Sequence, residues 1–201
     1  MIVPAAALHA PSSAGLPALV LRPWQEEDVP ALVEACADPA MRRWIHHRAD
    51  DEAEGLRWLA EQRRGWTSGV RFAFAVLEEG APAPRRLLGN AVLKLPRPDA
   101  PSAEVGYWTT AHARGRGTAT RALDTLTAWA FDTFAASGLA RLDLFHQLPN
   151  EASCRVAEKS GYPLHTTVPA SPPAYPAPGH LHVRRAAALD LAVPAPRTDC
   201  R

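Results

Sequence analysis

The chain has 201 residues, enough for one well-buried domain and short for two. Its residues are 47% apolar, yet no stretch approaches the roughly 20 uninterrupted apolar residues that span a bilayer, and a net charge of +1 provides no electrostatic basis for nucleic-acid or anionic-membrane binding. Cys36, Cys154 and Cys200 are odd in number and lack Cys-x-x-Cys spacing, which suits a reducing cytoplasm rather than a disulfide framework.

In chain order, residues 1–17 are Ala/Pro-rich without a basic leader and read as a disordered arm, not a secretory signal. The spacing then predicts a strand over 18–22 and a helix over 26–37 with acidic residues in its first turn, ended by Asp38-Pro39. Residues 41–51 read as a loop and 52–64 as a second helix. Segments 71–77 and 87–95 form a hairpin across a Gly/Pro-rich turn, and 102–110 is the next strand. Over 117–137, Ala119, Ala122, Leu123, Leu126, Ala130 and Phe134 share one helical face, and Gly138 stops the helix. A strand at 142–145, a helix over 151–159 with Asn150 as N-cap, a proline-rich loop over 163–179, a strand over 180–191 and a loose tail over 192–201 complete the order. The domain therefore spans 18–191, with no internal repeat.

The run Ala113-Arg114-Gly115-Arg116-Gly117-Thr118-Ala119 lies between a strand and an amphipathic helix. Small residues at 115, 117 and 119 let backbone approach an anion and take positive φ, while Arg114 and Arg116 add charge beside a helix N-terminus. That combination predicts a pyrophosphate cradle. A P-loop needs Gly-Lys-Ser/Thr, but the only lysines are Lys94 and Lys159. A dinucleotide fingerprint would place its third small residue on Thr120, without an opening βαβ unit.

Read as Arg114-x-x-Gly117-x-Ala119, the loop resembles the acyl-CoA loop of the GNAT family of N-acetyltransferases. Ala103-Glu104-Val105-Gly106-Tyr107-Trp108 before it, the segment from Asn150 to Tyr162 after it, and Leu21-Arg22-Pro23-Trp24 followed by Glu27-Asp28 at the start are similar to segments of that family's RimJ/RimL-like branch. The resemblance covers residues 18 to 190 and implies an α/β architecture. In the GNAT fold a mixed, mostly antiparallel sheet of about seven strands is flanked by about four helices. Its strands matching 102–110 and 141–147 splay apart, and the pantetheine arm of acetyl-CoA fills the gap.

The resemblance also implies the chemistry. A neutral primary amine attacks acetyl-CoA directly, so an ammonium must lose a proton, an oxyanion must be stabilised and a thiolate must leave. Glu104 is the expected proton acceptor, directly or through water; the plain alternative is a strand-end carboxylate paired to an arginine. A backbone N–H near Trp108 or Thr109 is the expected oxyanion donor, and Trp108, Thr109, Thr110, Arg114, Gly115, Arg116, Gly117, Thr118, Ala119 and Asn150 are expected along the cofactor. Many family members place a proton-donating Tyr seven residues after the motif's Asn, but here that residue is Ala157. Ser153, one turn earlier on the same face, takes the role of candidate acid; the alternative is a hydroxyl bonded to a carbonyl one turn back.

Trp44, His46 and His47 fall in the loop that borders the family's acceptor site and are expected to shape it. His46-His47 and His180-x-His182 have no His-Glu-x-x-His frame, no nearby cysteine and no convincing carboxylate set, so no metal is expected. Cys154 reads as a packed thiol. The expectation is a cytoplasmic acetyl-CoA-dependent N-acetyltransferase, monomer or homodimer, with no nucleic-acid or membrane partner. Its acceptor is either a protein N-terminal α-amine or a small amine. The alternative is a non-catalytic acyl-CoA-binding sensor or partner module.

Overall fold

Eight strands form one sheet in the computed structural model of the protein, which describes residues 7–13, 15–45, 49–80, 86–172 and 176–187. They are β1 (Leu8–Ala10), β2 (Leu19–Pro23), β3 (Arg71–Glu78), β4 (Leu87–Lys94), β5 (Ser102–Thr109), β6 (Arg141–Gln147), β7 (Leu164–Val168) and β8 (Gly179–Arg185). Spatial order is β1-β2-β3-β4-β5-β6-β8-β7, with every neighbouring pair antiparallel except the parallel β5–β6. The helices among the described residues are α1 (Val29–Ala37), α2 (Pro39–Trp44), α3 (Glu52–Ser68), α4 (Thr118–Thr133) and α5 (Glu151–Lys159).

Alternation along β3 divides the core. Phe72, Phe74 and Val76 pack with Leu123, Leu126 and Ala130 of α4, whereas Ala73, Ala75 and Leu77 pack with Leu32 of α1 and Trp58 and Leu59 of α3. Buried on both faces, β3 is apolar from Phe72 to Leu77, as a sheet covered by helices on both sides requires. The small Ala73 and Ala75 leave room for the helix pair above them. Trp24, Trp58 and Trp108 cluster on that face, and Trp24 Nε1 donates to the buried Asn90 Oδ1 at 2.9 Å.

Several elements differ from expectation; the strand expected to run to 191 ends at Arg185, residues 188–191 lying outside the described ones, and the helix expected to run to 137 ends at Thr133. Leu8–Ala10 lies within the expected arm but pairs with Leu21–Leu19 as an edge strand, its Leu8 and Ala10 buried and His9 exposed. Asp38-Pro39 both stops α1 and starts α2, because Pro39 sits at the first helical position and the Asp38 side chain accepts from Ala40 N–H; residues 41–44 of the expected loop are therefore helical. β7 occupies part of the expected proline-rich loop and hydrogen-bonds only to β8, so its largely exposed side chains carry no hydrophobic signal. α3 runs four residues past its expected end to a left-handed cap at Gly69. The sheet thus has eight strands where about seven were expected. Residues 1–6 and the expected tail 192–201 lie outside the described residues.

Candidate functional site

β5 and β6 pair only from Ser102–Arg141 to Val105–Leu144. Beyond that point β5 stays with β4 as far as Thr109, and β6 stays with β8 as far as Gln147. The strands part around a cleft of about 750 Å³, with Gly106–Thr109 on one wall and Phe145–Gln147 on the other. A parallel pair that stops midway leaves facing backbone groups to be satisfied from outside the sheet, and an extended amide chain laid in the gap does so as an added strand would.

One end of the cleft is built for an anion. Gly115 and Gly117 both have φ of 71°, and Gly117 caps α4 without a side chain to bond the first-turn N–H groups. Those groups and the positive end of the α4 dipole face a cleft lined by Gly115, Gly117, Thr118 and Ala119. Arg114 also lines it and is ion-paired to Asp38, the cap of α2. Burial alone would raise the Asp38 carboxyl, but the Ala40 N–H and the Arg114 guanidinium outweigh it and hold the group below its ordinary value. The sequence model of the GNAT acetyltransferase domain matches residues 18–163, spanning strand, loop and helix.

The chain belongs to the GNAT acetyltransferase family.

Its fold is similar to that of a GNAT-family acetyltransferase from Bacillus anthracis, at 18% identity and a TM-score of 0.71 over 90% of this chain and 98% of that one. RimJ of Mycobacterium smegmatis, solved with a CoA-disulfide, gives 18% identity and a TM-score of 0.70 over 94% and 89%. The microcin self-immunity acetyltransferase MccE, solved with acetyl-CoA and AMP, gives 12% and 0.70 over 84% and 92%. No curated protein matches the chain in sequence. Among the described residues no helix is long and apolar enough to cross a membrane.

Two of the residues expected along the cofactor lie outside the cleft of this GNAT domain. Thr110 is buried, its Oγ1 bonded to Leu88 O at 3.2 Å, and Arg116 lines a separate small crevice with Leu16, Glu78 and Arg121. Trp108, Thr109 and Asn150 do line the cleft. Asn150 also caps α5, its Oδ1 accepting from Ser153 N–H at 3.2 Å, so one side chain serves helix and cleft together.

At the other end, Glu104, Gly106 and Trp108 share the β5 face turned toward α2, whose Met41 and Trp44 line the same space with Ile45. Arg43 Cζ stands 4.6 Å over the Trp44 ring. Glu104 is paired, though to a lysine and not an arginine: Lys94, its direct cross-strand partner, donates to it at 2.5 Å. Both side chains are 39% exposed, so the pair remains open to the cleft. His46 and His47 lie outside the described residues.

Ser153 faces the cleft from α5, and its Oγ lies 2.8 Å from the Tyr107 hydroxyl in place of a bond to a carbonyl one turn back. The phenol also donates to Ser153 O at 3.4 Å, and burial pushes its pKa up to about 12. Sequence reasoning singled out neither Tyr107 nor Lys94. Tyr107 meets Ser153 across 46 residues of chain, which no local pattern reports, whereas the Lys94–Glu104 pairing was accessible from hairpin register once the β4–β5 turn was placed.

Cys154 has a partner set that sequence spacing does not show. His146, His180 and His182 stand beside it, with Sγ 3.7 Å from His182 Nε2. Burial and the neighbouring Glu158 carboxylate push its thiol up, which argues against a free nucleophilic thiolate.

Proposed function

We propose that this GNAT acetyltransferase moves the acetyl group of acetyl-CoA to a primary amine by direct attack in a ternary complex. The observation that carries the reading is the β5–β6 gap, with the uncapped start of α4 at one end and Glu104 at the other. The pyrophosphate would sit on the Gly115–Ala119 backbone and Arg114. The pantetheine arm would run between Gly106–Thr109 and Phe145–Gln147 and past Asn150. The thioester would then lie between Glu104 and Ser153.

In that pose the Glu104 carboxylate takes a proton from the incoming ammonium, directly or through one water, while Lys94 holds it toward the cleft. The amine nitrogen bonds to the thioester carbon, and a backbone N–H near Trp108 or Thr109 faces the oxygen as it becomes negative. When the carbon–sulfur bond breaks, the thiolate takes a proton from Ser153 Oγ and Ser153 recovers one, directly or through water, from the nitrogen, which still carries two, leaving free CoA and an amide. A thiol of ordinary pKa about 8.5 is a tolerable leaving group, so Ser153 accelerates departure without being indispensable.

The acceptor side, with Met41, Trp44 and Ile45, suits a primary amine carried on an apolar or aromatic neighbour. That amine is a peptide N-terminus or a small molecule. Among proteins of similar fold, one RimL is named a ribosomal L7/L12 alpha-N-protein acetyltransferase and MccE a microcin self-immunity acetyltransferase, so fold does not select between the two classes. The test is CoA thiol release with acetyl-CoA against N-terminal peptides and small amines, run beside calorimetric binding of acetyl-CoA. Turnover with one class assigns the acceptor. Binding without turnover on any acceptor would favour a sensor module, and absence of binding would overturn the reading.

A further inference from the structure

His146 on β6, His180 and His182 on β8 and Cys154 on α5 bring one ligand atom each within 4.8 Å of one another. His146 Nδ1 lies 3.0 Å from Gln147 O, and His182 Nδ1 lies 2.9 Å from Tyr162 O. A carbonyl oxygen only accepts, so both Nδ1 atoms carry their protons. In neutral rings, both Nε2 atoms are then bare lone pairs, and these face each other at 3.2 Å. Two lone pairs that close repel unless a positive centre stands between them.

One proton would satisfy that pair, but not the other donor atoms gathered around it. Cys154 Sγ approaches His182 Nε2 to 3.7 Å, and His180 Nδ1 is buried with no hydrogen-bond partner. His182 is fully buried and His146 is 5% exposed, surroundings in which a lone imidazolium is costly. A tetrahedral zinc ion with bonds of about 2.05 Å to nitrogen and about 2.3 Å to sulfur spaces its ligands about 3.3 Å apart for N–N and about 3.6 Å for N–S. The observed 3.2 and 3.7 Å match both edges. The carbonyls on the two Nδ1–H groups are the outer partners that orient metal-binding histidines.

We propose that His146, Cys154, His180 and His182 form a tetrahedral site for zinc or a similar borderline-soft divalent cation. Three neutral imidazoles and one thiolate are the donor set; the thiol proton leaves to solvent when the cation binds. Three imidazoles and a sulfur, with no oxygen ligand, exclude magnesium and calcium as natural occupants. His146 also belongs to the wall of the acyl-CoA cleft. The ion would therefore fasten α5, with Asn150 and Ser153 at its start, to the strands that border the gap.

The test uses the full chain stripped with a chelator, titrated with Zn2+ against a chromophoric competitor and, separately, with Co2+. The expected result is one equivalent bound more tightly than micromolar and a rise in melting temperature with Zn2+. The Co2+ form should show the intense visible bands of a tetrahedral site and a thiolate-to-cobalt charge-transfer band. Cys154→Ser should erase the charge-transfer band, and Cys154→Ser and His180→Gln should each weaken Zn2+ by roughly 10–100-fold or more. These two positions are only partly buried, so the variants should fold where a change at His182 would not. Absence of Zn2+ binding, leaving a proton shared between His146 and His182, would overturn the site. So would a weak octahedral Co2+ spectrum, or affinity unchanged in both variants.

Discussion

If Ser153 protonates the departing thiolate, Tyr107 should matter to turnover only through Ser153. The phenol sits 2.8 Å from Ser153 Oγ, a contact in which either hydroxyl can donate, and its single proton turns from the Ser153 carbonyl, 3.4 Å away, to Oγ when Ser153 aims its own proton at the leaving thiolate. Ser153 then keeps its own proton for the cleft. With its pKa near 12, Tyr107 remains a neutral donor throughout the neutral range. As Ser153 gives up its proton, its oxygen becomes negative and the bond from Tyr107 changes from neutral to charge-assisted. Neutral bonds contribute about 1 kcal/mol and charge-assisted bonds about 1.5–3 kcal/mol, so the difference felt in the transition state is about 0.5–2 kcal/mol. At about 1.36 kcal/mol per decade, Tyr107→Phe should lower kcat by roughly 2–30-fold.

The assay is single-turnover CoA release at saturating acetyl-CoA for the wild type, Tyr107→Phe, Ser153→Ala and the double variant, so that product release does not hide the chemical step. Melting temperatures check that all four fold. With Ser153 already alanine, the phenol has no hydroxyl left to support, and adding Tyr107→Phe should change the rate by less than about twofold. Two effects that simply multiply in the double variant would refute the coupling. A Tyr107→Phe enzyme with undiminished kcat would refute the role of the phenol itself.

Glu104→Gln should lower kcat by about 100-fold or more with acetyl-CoA affinity nearly unchanged, measured by thiol release and calorimetry; normal turnover would remove Glu104 from its proton-accepting role. Gly117→Val places a branched side chain at φ of 71°, where L-residues lose about 1–2 kcal/mol, and should lower both melting temperature and CoA affinity. Unaltered affinity in that variant would sink the cradle. At Gly89 a Cβ would stand 2.2 Å from the Trp108 carbonyl oxygen, a backbone atom of the paired strand, so Gly89→Ala should cost about 1–3 kcal/mol in urea unfolding. A midpoint equal to wild type would contradict the close β4–β5 approach. Burial raises the Tyr162 phenol to about 12, above its unfolded value of 10.0. Its contribution to stability is therefore complete below pH 10.0 and lost as pH rises toward about 12, a slope that Tyr162→Phe should reduce. Phenolate absorbance showing Tyr162 ionised near pH 10.0 in the folded state would exclude this.

What could be read from the sequence follows the range of the forces involved. Gly115 and Gly117 announce themselves because positive φ is a demand of a single residue, and the amphipathic face of α4 because its period is local. Helix α2 was missed because Pro39 ends one helix and begins the next with the same fixed φ. β1 was missed because its buried Leu8 and Ala10 alternate over only three residues, too few for a period to show, and β7 because its exposed side chains leave little trace in hydrophobic pattern. The chemistry divides along the same line. Glu104 belongs to a recognisable strand, but Lys94 reaches it through hairpin register and Tyr107 reaches Ser153 only when α5 packs against α4 and β6. The His146–Cys154–His180–His182 group is the extreme case, because β6, α5 and β8 must all be in place before its four donor atoms meet. Sequence spacing gave no metal at His180-x-His182 and did not raise His146, yet antiparallel pairing sets Leu144 opposite His182 and His146 opposite His180. Alternation then puts His146, His180 and His182 on one face of two adjacent strands, and α5 lowers Cys154 onto that face. A donor set assembled across a sheet is found by pairing register, not by counting residues between ligands.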